Sequence, residues 1–161
     1  MSVIGWGKPR IFIKRIDTSD GAWKEVPTPV QDSTSLETTK GEKMEAKLEG
    51  GTNEDVLYKA STYALSYNIR KAKGKTQPFT SNDGIVEGEY ACAVQPQDPL
   101  VPGIMIHRSV VSADDRYSSQ EGFYAIYTHD ALQPDSGNQV TNGVIKVTES
   151  KGVITNVEIQ E

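Results

Sequence analysis

The chain of 161 residues holds one cysteine, two histidines and no apolar run near the ~20 residues that a membrane-spanning helix needs. Each scarcity removes a class of explanation. A lone Cys92 cannot close an internal disulfide, and between Ala91 and Ala93 it reads as a small buried thiol rather than a reactive one. His107 and His129 occur as His107-Arg108 and His129-Asp130, outside any zinc-binding spacing, and read as ordinary surface or sheet-end residues. Asp114-Asp115 with Asp130 matches no calcium loop, and paired acids in a turn are usually solvated. Among the 14 glycines there is no Gly-x-Ser-x-Gly elbow, P-loop ending or dinucleotide-binding turn. No catalytic, cofactor-binding or metal-ligating residue is assigned, and the expectation is a protein that is not an enzyme and carries no cofactor.

Basic residues are short as well. Seventeen Lys and Arg against 22 Asp and Glu leave a net charge of -5, which works against phosphate neutralisation and hence against nucleic-acid binding. The basic cluster Lys8, Arg10, Lys14 and Arg15 is explained equally well by a solvated strand face. With 36% hydrophobic residues and a mean hydropathy of -0.50, a modest core is expected, and the length suits one domain over residues 1–161. Met1 to Gly7 lack both a basic leader and an apolar stretch of ~7–15 residues, so no secretory signal and no membrane partner are expected.

What the chain does have is alternation. Tyr63, Leu65, Tyr67 and Ile69 are separated by Ala64, Ser66 and Asn68, a period of two that a strand gathers on one face and a helix scatters. Met44, Ala46 and Leu48 alternate with Lys43, Glu45, Lys47 and Glu49 in the same way, so a second half-buried strand precedes the linker Gly50-Gly51-Thr52-Asn53. Further strands are expected over 10–16, 85–94, 104–111 and 122–128, with a hairpin of 143–148 and 153–159 at the end. Residues 23–26 read as a short antiparallel partner for 10–16, and Ser112 to Asp115 as a bend. Pro96, Pro99 and Pro102 make 95–103 a stiff loop, and 78–84 reads as a loop too. Residues 54–60 are open between two turns of helix, capped by Asn53 with Glu54 and Asp55 at its start, and an early beginning of the long strand. Tyr58, Tyr63, Tyr67, Tyr117, Tyr124 and Tyr127 read as core or subunit contacts. The fold class that follows is mainly β: a β-sandwich or barrel of two packed antiparallel sheets with at most one short helix.

The order of segments resembles that of the major tail tube proteins of bacteriophages, including phage-like elements of gut bacteria. The likeness is carried by an N-terminal arm (1–9), Trp23-Lys24-Glu25-Val26-Pro27-Thr28-Pro29-Val30, Thr34-Ser35-Leu36-Glu37-Thr38-Thr39-Lys40-Gly41-Glu42, the Glu49-Gly50-Gly51 corner and a β-rich second half. The resemblance implies homo-hexameric rings stacked into a hollow tube, other phage tail proteins as partners, and DNA that passes through without specific binding. It also implies assembly in the host cytoplasm and a final place in the virion tail. Type VI secretion tube proteins are similar in fold. On this reading the arm and the extended segment 30–51 make inter-subunit contacts, with Trp6, Leu36, Glu37, Lys40, Glu42, Glu49, Gly50 and Gly51 as the candidate residues. Deleting 30–51 is then expected to abolish assembly without unfolding the domain. The alternative from another class is a monomeric β-sandwich module that binds carbohydrate through Trp6, Trp23 and surface tyrosines.

Overall fold

The computed structural model describes residues 7–19 and 21–160, and among them every regular element is a strand. In chain order these are β1 (Arg10–Arg15), β2 (Lys24–Glu25), β3 (Ser35–Thr39), β4 (Lys43–Lys47), β5 (Asn53–Tyr58), β6 (Thr62–Arg70), β7 (Ser81–Asn82), β8 (Ile85–Gln95), β9 (Gly103–Ser118), β10 (Gly122–Ala131), β11 (Val140–Ser150) and β12 (Val153–Gln160). Ten strands join in one antiparallel sheet: seven follow the path β2-β1-β8-β9-β10-β6-β3, β7 pairs with β8, and β11 joins β9 and carries β12, while β4 and β5 form a second sheet of two. The mainly β class expected from alternation is therefore met.

The middle of the large sheet is buried on both faces, which explains why Ile11-Phe12-Ile13 shows no polar side. Ile11 and Ile13 point into a cluster that also holds Leu65, Tyr67 and Ile69 of β6, Tyr127 of β10 and Ile106 and Val111 of β9. The sheet must curl for its distant strands to share that interior. Phe12 points the other way, with Ala93, Met105, Ile145 and Val157, because the β11–β12 hairpin folds over the outer face. Trp23 packs there too.

The strand β9 makes this double layer possible. Its second half pairs with β10 from Ser109 to Ser118, while Gly103–Ile106 pair with Val140–Gly143 of β11 on the same edge. Gly103 and Gly143 stand opposite each other where β11 departs. A side chain at Gly103 would lie 2.2 Å from the Val94 carbonyl oxygen and 2.8 Å from Ile145 Cγ1, so only glycine allows the crossing. Gln95, buried beneath, donates from Nε2 to the Ile145 carbonyl at 3.0 Å and ties the hairpin to the sheet.

Several expectations need correction. Residues 54–60 hold no helix: Asn53–Tyr58 are strand β5, antiparallel to β4. A two-turn helix satisfies few backbone groups, whereas pairing with β4 engages most of the segment. The strand at 43–47 is not half-buried; both strands of its hairpin are exposed, with Met44 48%, Leu48 52% and Leu57 61% accessible. There is no bend at Ser112–Asp115, because β9 runs through it paired with β10, and Ser112, Asp114 and Asp115 are exposed. The 78–84 segment contains the short strand β7, paired with β8. The segment 30–51 is not dispensable as a whole, since β3 pairs with β6 and Leu36 packs against the core. His129, finally, is fully buried rather than at the surface.

Candidate assembly surfaces

The most unusual local feature is the β4–β5 hairpin. Its register places Met44 opposite Leu57 and Ala46 opposite Asp55, so Met44, Ala46, Leu48 and Leu57 share one face with the carboxylate of Asp55. The other face carries Lys43, Glu45 and Lys47 together with Val56 and Tyr58, with Glu45 held between the lysines at 2.6 and 3.5 Å. Lys43 keeps the exposed Glu45 carboxyl below its ordinary range, and salt screens such a pair. No hairpin residue belongs to either core cluster. A lone two-stranded ribbon is marginal in water, and this one also presents uncovered apolar side chains.

The candidate residues named from sequence divide among three places. Leu36 and Glu37 lie on β3, opposite Leu65 and Ala64. Lys40 and Glu42 are at the hairpin's base, where Lys40 Nζ sits 5.0 Å from the Tyr58 ring centroid and Glu42 pairs with Lys59 at 3.1 Å. Glu49, Gly50 and Gly51 form the tip, closed by the Leu48 amide donating to the Thr52 carbonyl at 2.7 Å. Gly50 and Gly51 have φ of 90° and 89°, a region that L residues avoid, which accounts for the double glycine. Trp6 lies outside the described residues.

Free sheet margins accompany the hairpin. Among the described residues β3 ends the strand path with β6 on one side only, and β12 pairs with β11 alone. Between the two ends of the curled sheet is a seam of about 710 Å³, walled by Gly7–Pro9, Thr28–Asp32, Thr34–Leu36 and Val101–Ile104. Leu36, Leu65, Val94 and Ile104 form its apolar floor. On the solvent face of β6, β10 and β9, Ser66, Thr128 and Ser112 are cross-strand neighbours flanked by Ala64 and Asn68, and the same face carries Arg70, Asp114, Arg116 and Asp130.

The one pair that looks catalytic is a piece of the core. Ser109 Oγ lies 3.3 Å from His129 Nδ1, and both residues are 0% exposed. The Ser109 hydroxyl donates to the Tyr90 carbonyl at 2.7 Å, which commits its only hydrogen. Nδ1–H of His129 therefore donates to Ser109 Oγ, and Nε2 accepts from the Tyr67 hydroxyl at 2.9 Å. The third group is a phenol rather than a carboxylate. Burial lowers the His129 pKa from 6.5 to about 3, so the ring is neutral at physiological pH. Residue-by-residue reasoning misses this run of hydrogen bonds, although the alternation Ala125, Tyr127, His129 already places the histidine on the inward face.

His107 is bonded through Nε2 to Thr141 Oγ1 at 2.7 Å. Asp114 pairs with Arg116 at 3.0 Å and Asp115 with Lys71 at 3.0 Å, on opposite faces of β9, so they do not converge with Asp130. Among the described residues, no three His, Cys, Asp or Glu side chains are grouped to hold a metal ion. No helix there is long and apolar enough to cross a membrane. Tyr67 and Tyr127 are core residues, whereas Tyr58 and Tyr117 are exposed at 52% and 72%. A scan against protein-family models and a search of curated proteins returned no match.

Proposed function

We propose that this protein is a structural subunit whose copies assemble into rings that stack as a phage-like tail tube, a conduit for DNA. The reading rests on the β4–β5 hairpin: an amphipathic ribbon, outside both core clusters, whose apolar side chains are left exposed among the described residues. Leaving such a ribbon in water is unfavourable, and completing it in a neighbour removes the cost. The free margins of β3 and β12 support the same reading, since strand addition between copies satisfies the unpaired backbone groups. In the resembled family the ring has six copies, and ring number here is part of the proposal. The carbohydrate-binding alternative draws no support from Trp23, which packs into the second core cluster rather than forming a sugar platform.

Electron microscopy and sedimentation velocity over a concentration series test the proposal. Rings or tubes are the expected outcome for the intact chain. A variant with Lys43–Tyr58 replaced by a short Gly-Ser link is expected to keep its fold and remain monomeric. Monomers of the intact chain at every concentration would overturn the proposal.

A further inference from the structure

Two uncovered apolar surfaces exist on the same chain, and they are of opposite shape. The hairpin is a ridge: Met44, Leu48 and Leu57, about half exposed each, present on the order of 300 Å² of apolar area, comparable to the largest patch on a typical monomer. The seam is a trough of about 710 Å³ with Leu36, Leu65, Val94 and Ile104 at its floor. Resting on the assembly reading above, we infer that the seam of one copy receives the β4–β5 hairpin of a second copy.

A hairpin seated in its own seam is opposed by the way it is attached. The part of β3 that lines the seam is Ser35 and Leu36, whereas the hairpin springs from the far end, beyond Thr39. From Lys43 to Leu48 it then extends a further ~17 Å at about 3.3 Å per residue. At the base its two legs are tied to each other by the Lys59 amide donating to the Glu42 carbonyl at 2.9 Å and by the Lys59–Glu42 ion pair at 3.1 Å, so the ribbon projects as one piece from the end of β3 remote from the seam. A second copy meets no such restraint.

Charge and area agree with a copy as occupant. Lys8 on the seam's lip is opposite in sign to Glu49 at the hairpin tip, and Asp32 on the other wall is opposite to Lys47. The apolar face supplies somewhat under half of the ~800 Å² per partner of a standard interface, and the ribbon's backbone and charged flanks supply the remainder. Ridge and trough are different surfaces, so the contact is head-to-tail. Such contacts propagate into closed rings or open filaments instead of stopping at dimers.

The test is complementation between two broken copies. Leu48→Asp with Leu57→Asp spoils the ridge, and Val101→Glu spoils the trough, with Thr34→Arg as an alternative trough variant if Val101→Glu does not fold. Circular dichroism and thermal unfolding matching the intact chain establish that each is folded. Each variant alone is expected to be monomeric, and their mixture to give a one-to-one dimer that grows no further, because only one good ridge and one good trough remain. If the trough variants assemble like the intact chain, the hairpin docks elsewhere and the inference fails while the assembly reading stands. If the intact chain never assembles, both fall.

Discussion

Acidification from pH 7.5 to 5.0 is expected to remove about 2 kcal/mol of stability through one residue, His129. In the folded chain its pKa is lowered to about 3 by burial, against 6.5 when exposed, so between those values the unfolded state binds the extra proton. The stability is intact above pH 6.5 and lost as pH falls towards 3. At pH 5.0 the unfolded state gains RT ln(1 + 10^1.5), about 2 kcal/mol, and a domain of this length then melts roughly 4–8 °C lower. The groups around the ring are Tyr67, Ser109 and Phe79, with Leu65 and Val111 as cross-strand neighbours, and none is a carboxylate that would stabilise the imidazolium. Asp17, Glu45 and Glu89 have folded pKa values lowered by Arg15, Lys43 and Arg108. Their contributions are lost only below their ordinary values of 3.8 to 4.5, beneath the pH 7.5 to 5.0 window. Urea unfolding followed by circular dichroism at four pH values measures the slope. In His129→Gln, whose amide can both accept from Tyr67 and donate to Ser109, the slope is expected to flatten whatever the absolute stability. A flat profile in the unsubstituted chain, or an equal slope in His129→Gln, would refute the reasoning.

Tyr67→Phe removes the donor to His129 Nε2 and leaves a buried acceptor unpaired, an expected loss of about 1–3 kcal/mol in the same urea assay. Gly103→Ala forces a methyl against the Val94 carbonyl at 2.2 Å, and a cost of about 1–3 kcal/mol is expected, with a fall in melting temperature as the readout. Cys92 is fully buried and its thiol is pushed up by desolvation, so Ellman's reagent is expected to leave the folded chain unlabelled and to label it stoichiometrically in denaturant.

Alternation makes the inward face of β6 legible in the amino-acid order alone, since Leu65, Tyr67 and Ile69 are buried as their spacing requires. The same rhythm at Met44, Ala46 and Leu48 misleads, because periodicity tells which side chains share a face and nothing about what covers it. Asn53-Glu54-Asp55 carries good helix-start chemistry, and pairing with β4 outweighs it. Ser112–Asp115 reads as a bend because polar residues are common to turns and to the exposed stretch of a long strand. The seam is invisible in the sequence: its walls come from four separated stretches that only the closing curl of the sheet brings together.

Because β9 belongs to both the inner layer and the outer one, neither can be peeled away while the other holds. Loosening β11 exposes Gly103–Ile106, and loosening β10 exposes Ser109–Ser118, of one uninterrupted strand. Amide protons along β9 should therefore form a single slowly exchanging class, released only when the whole body opens. A pull along β9 would meet the resistance of three neighbours, β8, β10 and β11, together.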